Sequence, residues 1–248
     1  MTILQGDRAY AAPCCGARYA FPNYVTMNFS AFEYWTDGWD DGSLMIKDYG
    51  IRHCACGRFV LRRAMVDVST SDLSDAPYMD TVTPDQIAAC IATADGRDME
   101  IAARRYQWHA LNHPYRAQYK VHREAEEASL RSAWEQNHPD RRSFWQRLTG
   151  RKAPVYVRPA VPITFPAFKS TPEQADNMTR LCALLTEANA AGEPAGLLEV
   201  AELYRELGQW TEAARAIARV PQEHDPVARS LIANLIRQKQ VVPVRFRY

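Results

Sequence analysis

The sequence predicts an α+β fold in which a small β-rich segment precedes a mainly α-helical remainder. Three observations carry that expectation. Two short cysteine runs, Pro13-Cys14-Cys15-Gly16 and His53-Cys54-Ala55-Cys56-Gly57, bracket an aromatic-rich stretch. Two Thr-Pro-x-Gln runs, at 83–86 and 171–174, announce helices: threonine caps, proline suits the first turn and glutamine closes a capping box. Apolar residues then recur at helical spacing.

Each cysteine run ends in glycine, which lets the backbone curl tightly around an ion. Two such turns facing one another make a zinc-ribbon-like site. The usual knuckle is Cys-Pro-x-Cys-Gly; on that template the first run reads Ala12-Pro13-Cys14-Cys15-Gly16 and the second His53-Cys54-Ala55-Cys56-Gly57. Ala12 has no ligand atom, so Cys14 must serve beside Cys15. His53 holds the template position in the second run, while Cys54 offers a closer thiolate, and both donor types suit zinc. The expected ligands are Cys14, Cys15, Cys54 and Cys56, with His53 as the alternative to Cys54, and the expected cofactor is a structural Zn2+. The competing readings are a ribbon that has lost its metal, its cysteines packed as core, and a vicinal Cys14–Cys15 disulfide.

Residues 12 to 63, with both knuckles and the run from Asn28 to Gly38 between them, resemble a group of uncharacterised bacterial proteins. Trp35-Thr36-Asp37-Gly38 and the run Arg104-Arg105-Tyr106-Gln107-Trp108-His109 through Arg116 share the likeness. It covers most of the chain. It implies a zinc-ribbon-like N-terminus, following helices and a TPR-like C-terminal part, and no catalytic residues.

Composition sets outer limits. The chain has 248 residues, 47% of them hydrophobic, enough for two modest domains with cores. A net charge of +1 provides no global field toward nucleic acid or membrane. Its distribution is uneven: residues 1–96 carry 7 basic and 12 acidic side chains, residues 97–158 carry 13 and 7, and residues 159–248 carry 10 of each. No apolar run approaches the roughly 20 residues of a membrane-spanning helix, and no secretory leader is recognisable. The expectation is a cytoplasmic protein with no membrane partner, in a reducing compartment where clustered cysteines serve as ligands.

In chain order, Arg18 to Val25 and Gly57 to Arg63 read as strands following the two knuckles. Phe29, Phe32, Tyr34, Trp35 and Trp39 between them are expected to fill a small core, because the charges beside them are acidic rather than the basic ones a base-stacking surface needs. Polar residues 69–83 read as a linker. Ile87, Cys90, Ile91 and Ala94 then follow at helical spacing, which makes Cys90 a core thiol. One helix is expected from Asp98 to Asn112 and another from Pro114 to Gln136, with a break at His113-Pro114. His109 and His113 stand four apart, but the Glu of a metalloprotease helix is missing. Arg104, Arg105, Arg116, Lys120 and Arg123 are a basic patch or a solvated helix face.

Pro154, Pro159, Pro162 and Pro166 exclude a helix and predict an extended strap packed on the surface, or a docking strand. From Thr171 a helix buries Met178, Leu181, Cys182, Leu184 and Leu185. A second covers Pro194 to Leu207, and Tyr204, Gly208, Trp210 and Ala213 carry the turn signature of a TPR helical hairpin. Asp225-Pro226 caps a last helix to about Lys239. The organisation reads as a zinc-ribbon-like module (1–68), a linker (69–83), a basic helical segment (84–150), a Pro-rich strap (151–171), a TPR-like segment (172–240) and a tail (241–248).

The functional expectation is a non-enzymatic protein that binds protein partners, as an adaptor, assembly factor or toxin-neutralising (immunity) protein. Nucleic-acid binding by the ribbon and the basic patch is one alternative. A metal-dependent enzyme with water completing the coordination is the other.

Overall fold

The computed structural model describes residues 3–26, 31–42, 49–68, 76–140, 142, 145, 148, 152, 154–190 and 196–247. It bears out the α+β class, with small antiparallel sheets followed by helices. Two compact units are present, Met1–Asn112 with Ser170–Tyr248, and His113–Lys169.

In the first unit β1 (Ile3–Ala11) and β2 (Arg18–Thr26) form a hairpin with Ala11 opposite Arg18 and Tyr10 opposite Tyr19. A second hairpin joins β3 (Glu33–Trp35) to β4 (Asp40–Asp41). In a third, between β5 (Ile51–His53) and β6 (Phe59–Leu61), His53 faces Phe59. The next strand, β7 (Val66–Asp67), returns to β1, giving the order β2-β1-β7. Each cysteine run is thus the tip of a hairpin, and the expected strands at 18–25 and 57–63 are found as β2 and β6.

The linker reading of residues 69–83 holds only in part. Residues 69–75 lie outside the described residues, whereas Tyr78 bridges to Ala20, Thr81 bridges to Arg52, and Met79 and Val82 are buried. This stretch ties the first and third hairpins together through those two bridges and the burial of Met79 and Val82.

The helical part begins where sequence places it. Thr83 N–H donates to Gln86 Oε1 at 3.0 Å, and α1 (Ile87–Ala92) follows with Cys90 fully buried against Ile87 and Met99. The expected break at His113-Pro114 does not occur: α2 (Arg97–Asn137) is a single helix of 41 residues with Pro114 inside it. An interior proline removes the bond to the carbonyl four residues earlier and ordinarily costs about 3 kcal/mol. The carbonyl so deprived is that of Ala110; on the adjoining positions the Gln174 amide nitrogen donates to the Leu111 carbonyl at 2.9 Å and to Asn112 Oδ1 at 3.3 Å. The Pro114 ring itself is exposed, and good helix formers follow it.

Gln174 belongs to α3 (Pro172–Ala190), whose capping box is complete: Thr171 N–H donates to Gln174 Oε1 at 2.8 Å and Gln174 N–H to Thr171 Oγ1 at 3.1 Å. Met178, Leu181, Cys182 and Leu185 pack against Trp108, Val200 and Leu203. Beyond α3, α4 (Leu197–Glu206) and α5 (Trp210–Arg219) make a helical hairpin, with Ala201 and Ala213 fully buried. The last helix, α6 (Pro226–Arg237), is capped by Asp225, whose Oδ1 accepts from Ala228 N–H at 3.0 Å.

Residues 241–247 are not a loose tail. Val242 and Val244 are buried, and β8 (Arg245–Phe246) pairs with β3 to give the order β4-β3-β8. The N-terminal strands and the C-terminal helices therefore belong to one unit, and the division into separate 1–68 and 172–240 modules does not hold. The aromatic stretch follows that correction. Trp35 is buried, Trp39 sets its ring edge against His109, and Tyr49 stacks on Tyr106 at 4.4 Å. These rings serve the strand-to-helix contact rather than a ribbon core, and Phe29 lies outside the described residues.

The second unit pairs the C-terminal half of α2 with the proline-rich strap. The strap is extended, as predicted, and runs antiparallel to the helix: Tyr156 meets Trp134, Thr164 Oγ1 lies 2.9 Å from His122 Nε2, Phe165 stacks on Tyr119 and Phe168 packs edge-on against Tyr115. Arg131 lies over the Tyr156 ring. Val155, Val157 and Ile163 face outward.

Candidate metal centre

The two cysteine-bearing turns are built alike but not identically. In the first, Gly16 N–H donates to the Ala12 carbonyl, four residues back, at 2.8 Å; in the second, Gly57 N–H donates to the Cys54 carbonyl, three residues back, at 2.8 Å. Gly16 and Gly57 both have positive φ, +72° and +83°, which a side chain would strain. The second turn is one residue tighter than the first. That shift brings Cys54 to the ligand position and leaves His53 in its strand, its ring against Phe59.

The four sulfurs form one cluster. Cys14 Sγ lies 3.4 Å from Cys56 Sγ and 3.9 Å from Cys15 Sγ, Cys15 Sγ lies 3.5 Å from Cys54 Sγ, and all four fall within 4.8 Å of one another. A tetrahedron with metal–sulfur bonds of about 2.3 Å has edges of about 3.8 Å. The cluster is therefore sized for a single ion, and the four cysteines are close enough to bind one. His53, the alternative ligand, is not a member.

Tyr19 supports the site from below. Its hydroxyl accepts from Ala55 N–H at 2.9 Å and lies 3.3 Å from Cys54 Sγ, where it can donate to the thiolate form of that sulfur. Burial opposes ionisation of Cys54, but hydrogen bonds from Cys56 N–H, the Tyr19 hydroxyl and the neighbouring thiols outweigh it and bring Cys54 down to about 6. Cys14 is pushed up to about 12 by burial first, then by the adjoining sulfurs of Cys56, Cys54 and Cys15. For Cys15 the Ala17 amide pulls downward, but Cys54 and burial outweigh it and the thiol is raised. One thiolate forms readily and discourages the next. A cation removes that conflict.

Cys54 is buried, Cys14 is half-buried, and Cys15 and Cys56 are exposed. Beside them opens a cleft of about 600 Å³ whose lining includes Pro13, Cys14, Arg58, Asp95 and Met99.

The other sequence candidates are occupied elsewhere. His109 Nε2 lies 2.8 Å from the Asp37 carbonyl, which can only accept, so this nitrogen carries a proton; Nδ1 lies 2.8 Å from the Tyr49 hydroxyl. Neither nitrogen is left for a metal shared with His113. The basic patch does not form as drawn: Arg105 makes two bonds to Glu199 at 2.7 and 2.8 Å, Arg104 pairs with Glu100, Arg123 pairs with Glu126, and Arg116 is buried. Hydrogen bonding from Arg180, with Arg104 adding to it against burial, lowers Glu100 to about 2.

A buried polar network escaped the sequence reading. Arg205 Nε donates to Glu202 Oε2 at 2.7 Å, and Nη2 donates to the Val242 carbonyl at 2.9 Å. Glu206 Oε2 accepts from Trp108 Nε1 at 3.0 Å and from Asn112 Nδ2 at 3.2 Å, and Asn112 also donates to Asp37 Oδ2 at 3.1 Å. All these side chains are buried. Burial, then the charges of Glu202 and Asp37, push Glu206 up to about 8, so its carboxyl is neutral at pH 7. The spacing of Glu202, Arg205 and Glu206 is that of any solvated helix face, and nothing local marks it as internal. The network is enclosed and fastens α2, α4 and residues 240–244 together.

No family model, curated protein or solved structure matches this chain. Among the described residues no helix is long and apolar enough to cross a membrane.

Proposed function

We propose that this chain is a non-catalytic protein-interaction scaffold whose N-terminal hairpins are held by a structural zinc ion on Cys14, Cys15, Cys54 and Cys56. The observation that carries this reading is the four-sulfur cluster: four cysteine sulfurs lie within 4.8 Å of one another, and an ion held by all four would have no position left for a reacting water. The ion would join the tips of two hairpins whose bases already share a buried cluster of Ala12, Tyr19, Phe21, Cys54 and Val60, as structural zinc does in small β modules. The outward valines of the strap support partner binding, because exposed apolar side chains in series are costly unless something covers them. The pairing of the arginines on α2 speaks against the nucleic-acid alternative.

Elemental analysis of protein purified without added metal tests the reading. About one zinc per chain, absent from Cys15→Ser and Cys56→Ser, is the expected result. Cobalt substitution separates scaffold from enzyme: a four-thiolate spectrum indifferent to added azide supports the scaffold, and a spectrum that shifts with azide overturns it. Loss of captured protein partners in Val155→Asp/Val157→Asp, with the helical signal intact, would place partner binding on the strap.

A further inference from the structure

We propose that the four-cysteine centre is also an oxidation site for hydroperoxides, which convert it into two disulfides between hairpins, Cys14–Cys56 and Cys15–Cys54, and expel the ion. The inference rests on the metal-centre reading above and adds a chemistry to it.

The pairing follows from position. Two close sulfur pairs, Cys14–Cys56 at 3.4 Å and Cys15–Cys54 at 3.5 Å, both cross from one hairpin to the other. A disulfide is about 2.05 Å long, so each pair closes by about 1.4 Å, within reach of side-chain rotation. The vicinal pair is wider at 3.9 Å, and closing it makes a small ring that strains the trans peptide between the two residues. Exposure assigns the roles. Each cross-hairpin pair joins one exposed sulfur, Cys56 or Cys15, to a more sheltered one, Cys14 or Cys54. The exposed sulfur meets the oxidant and the sheltered one resolves it.

The step balances. The exposed thiolate attacks the distal oxygen of the hydroperoxide, the O–O bond breaks, and the leaving alkoxide takes a proton from solvent. The resulting sulfenic acid is attacked by the sheltered thiolate, an S–S bond forms, and hydroxide departs to be protonated to water. Two electrons pass from each sulfur pair to one hydroperoxide, so two hydroperoxides oxidise the centre. Disulfide sulfurs are poor ligands, and the divalent ion leaves.

The fold survives this change because the link between residues 14–15 and 54–56 is replaced rather than lost. Charge does not survive: four thiolates around a divalent ion carry two net negative charges, and two disulfides carry none. The change occurs on the wall of the cleft that holds Arg58 and Asp95. Cys90 and Cys182 are buried away from the centre and serve as internal controls.

The test begins with metal analysis of the protein as purified, followed by two equivalents of hydrogen peroxide. A chromophoric chelator reads released metal, and unreduced peptide mapping with alkylation of residual thiols reads the links. The expected result is loss of four of the six thiols, release of the ion, cross-linked peptides joining the two hairpins, and an unchanged far-ultraviolet spectrum. In Cys14→Ser the link should be Cys15–Cys54 with Cys56 unlinked; in Cys15→Ser it should be Cys14–Cys56 with Cys54 unlinked. A vicinal link, exchanged partners, links between chains or sulfinic acids overturn the proposal. Metal-free protein that still forms the mapped links overturns the structural-metal reading and leaves the pairing standing. Metal-loaded protein that keeps its ion and thiols under peroxide does the reverse.

Discussion

Tyr34 and Phe246 are partners across the pairing of β3 with β8, and their rings lie 5.9 Å apart. Removal of residues 241–248 takes away that strand, the buried Val242 and Val244, and a carbonyl that Arg205 requires. A buried guanidinium left short of acceptors costs about 3–5 kcal/mol. The truncated chain is expected to lose most of its urea stability, whereas Phe246→Ala loses about 1 kcal/mol through the ring contact alone. Equal behaviour of the truncated and full-length chains in urea unfolding would return these residues to the status of a tail.

Gln174 caps its own helix and supplies the donor beside the proline of α2. Replacing it with leucine removes both functions and should destabilise by about 1–3 kcal/mol, measured by equilibrium denaturation. Pro114→Ala tests the same turn from the other side. With its ring exposed and its helix continuous, the alanine variant should gain stability, and a loss would mean that the chain needs a break there.

The buried Glu206 makes stability depend on pH with a definite sign. Its carboxyl holds its proton in the fold up to about 8, against a reference of 4.5. Between those values the unfolded chain is ionised while the native state is not, so the native state binds the extra proton. Stability is expected to fall by about 1.4 kcal/mol per pH unit across this window and to level off above it. Glu206→Gln should be more stable than the parent at pH 8 and should flatten the slope, as read from urea midpoints at several pH values. A parent whose stability is level between pH 5 and 8 contradicts a neutral Glu206.

Tyr19 contacts no metal yet orients Cys54 through its hydroxyl. Tyr19→Phe keeps the ring in its core and should weaken metal binding about 10–100-fold, a typical effect of an outer-shell partner. Competition with a chromophoric chelator measures it. Chelation of the parent protein should lower its melting temperature, and a melting temperature indifferent to chelation would deny the ion any structural part.

The contrast between what was legible and what was not follows the range of the interactions. Capping boxes at Thr83 and Thr171, the helical spacing of Ile87, Cys90 and Ile91, and the cysteine turns are local patterns, and the fold honours them. The strap was legible because four prolines leave few conformations. By contrast, the turn of α2 before Pro114 is bonded by Gln174, about 60 residues away, and a two-residue strand at Arg245 carries no signal without its partner at Trp35. The choice of Cys54 over His53 goes with a turn hydrogen bond one residue shorter than that of the first cysteine run, which no residue type announces. Asp37, Arg205 and Glu206 are charged, and charge ordinarily means surface.

The second unit is made from one uninterrupted stretch, His113–Lys169, and the first from two stretches on either side of it. During synthesis the order of completion is therefore the reverse of the order in which the chain begins. The helix and its strap can close once residue 169 has cleared the ribosome, through contacts of shorter sequence separation than the pairing of β3 with β8. The first unit must wait until residues 245 and 246 emerge to pair with β3. Until then its hairpins and their four cysteines are held by an unfinished scaffold, so an early-bound ion would have its greatest effect on the nascent chain.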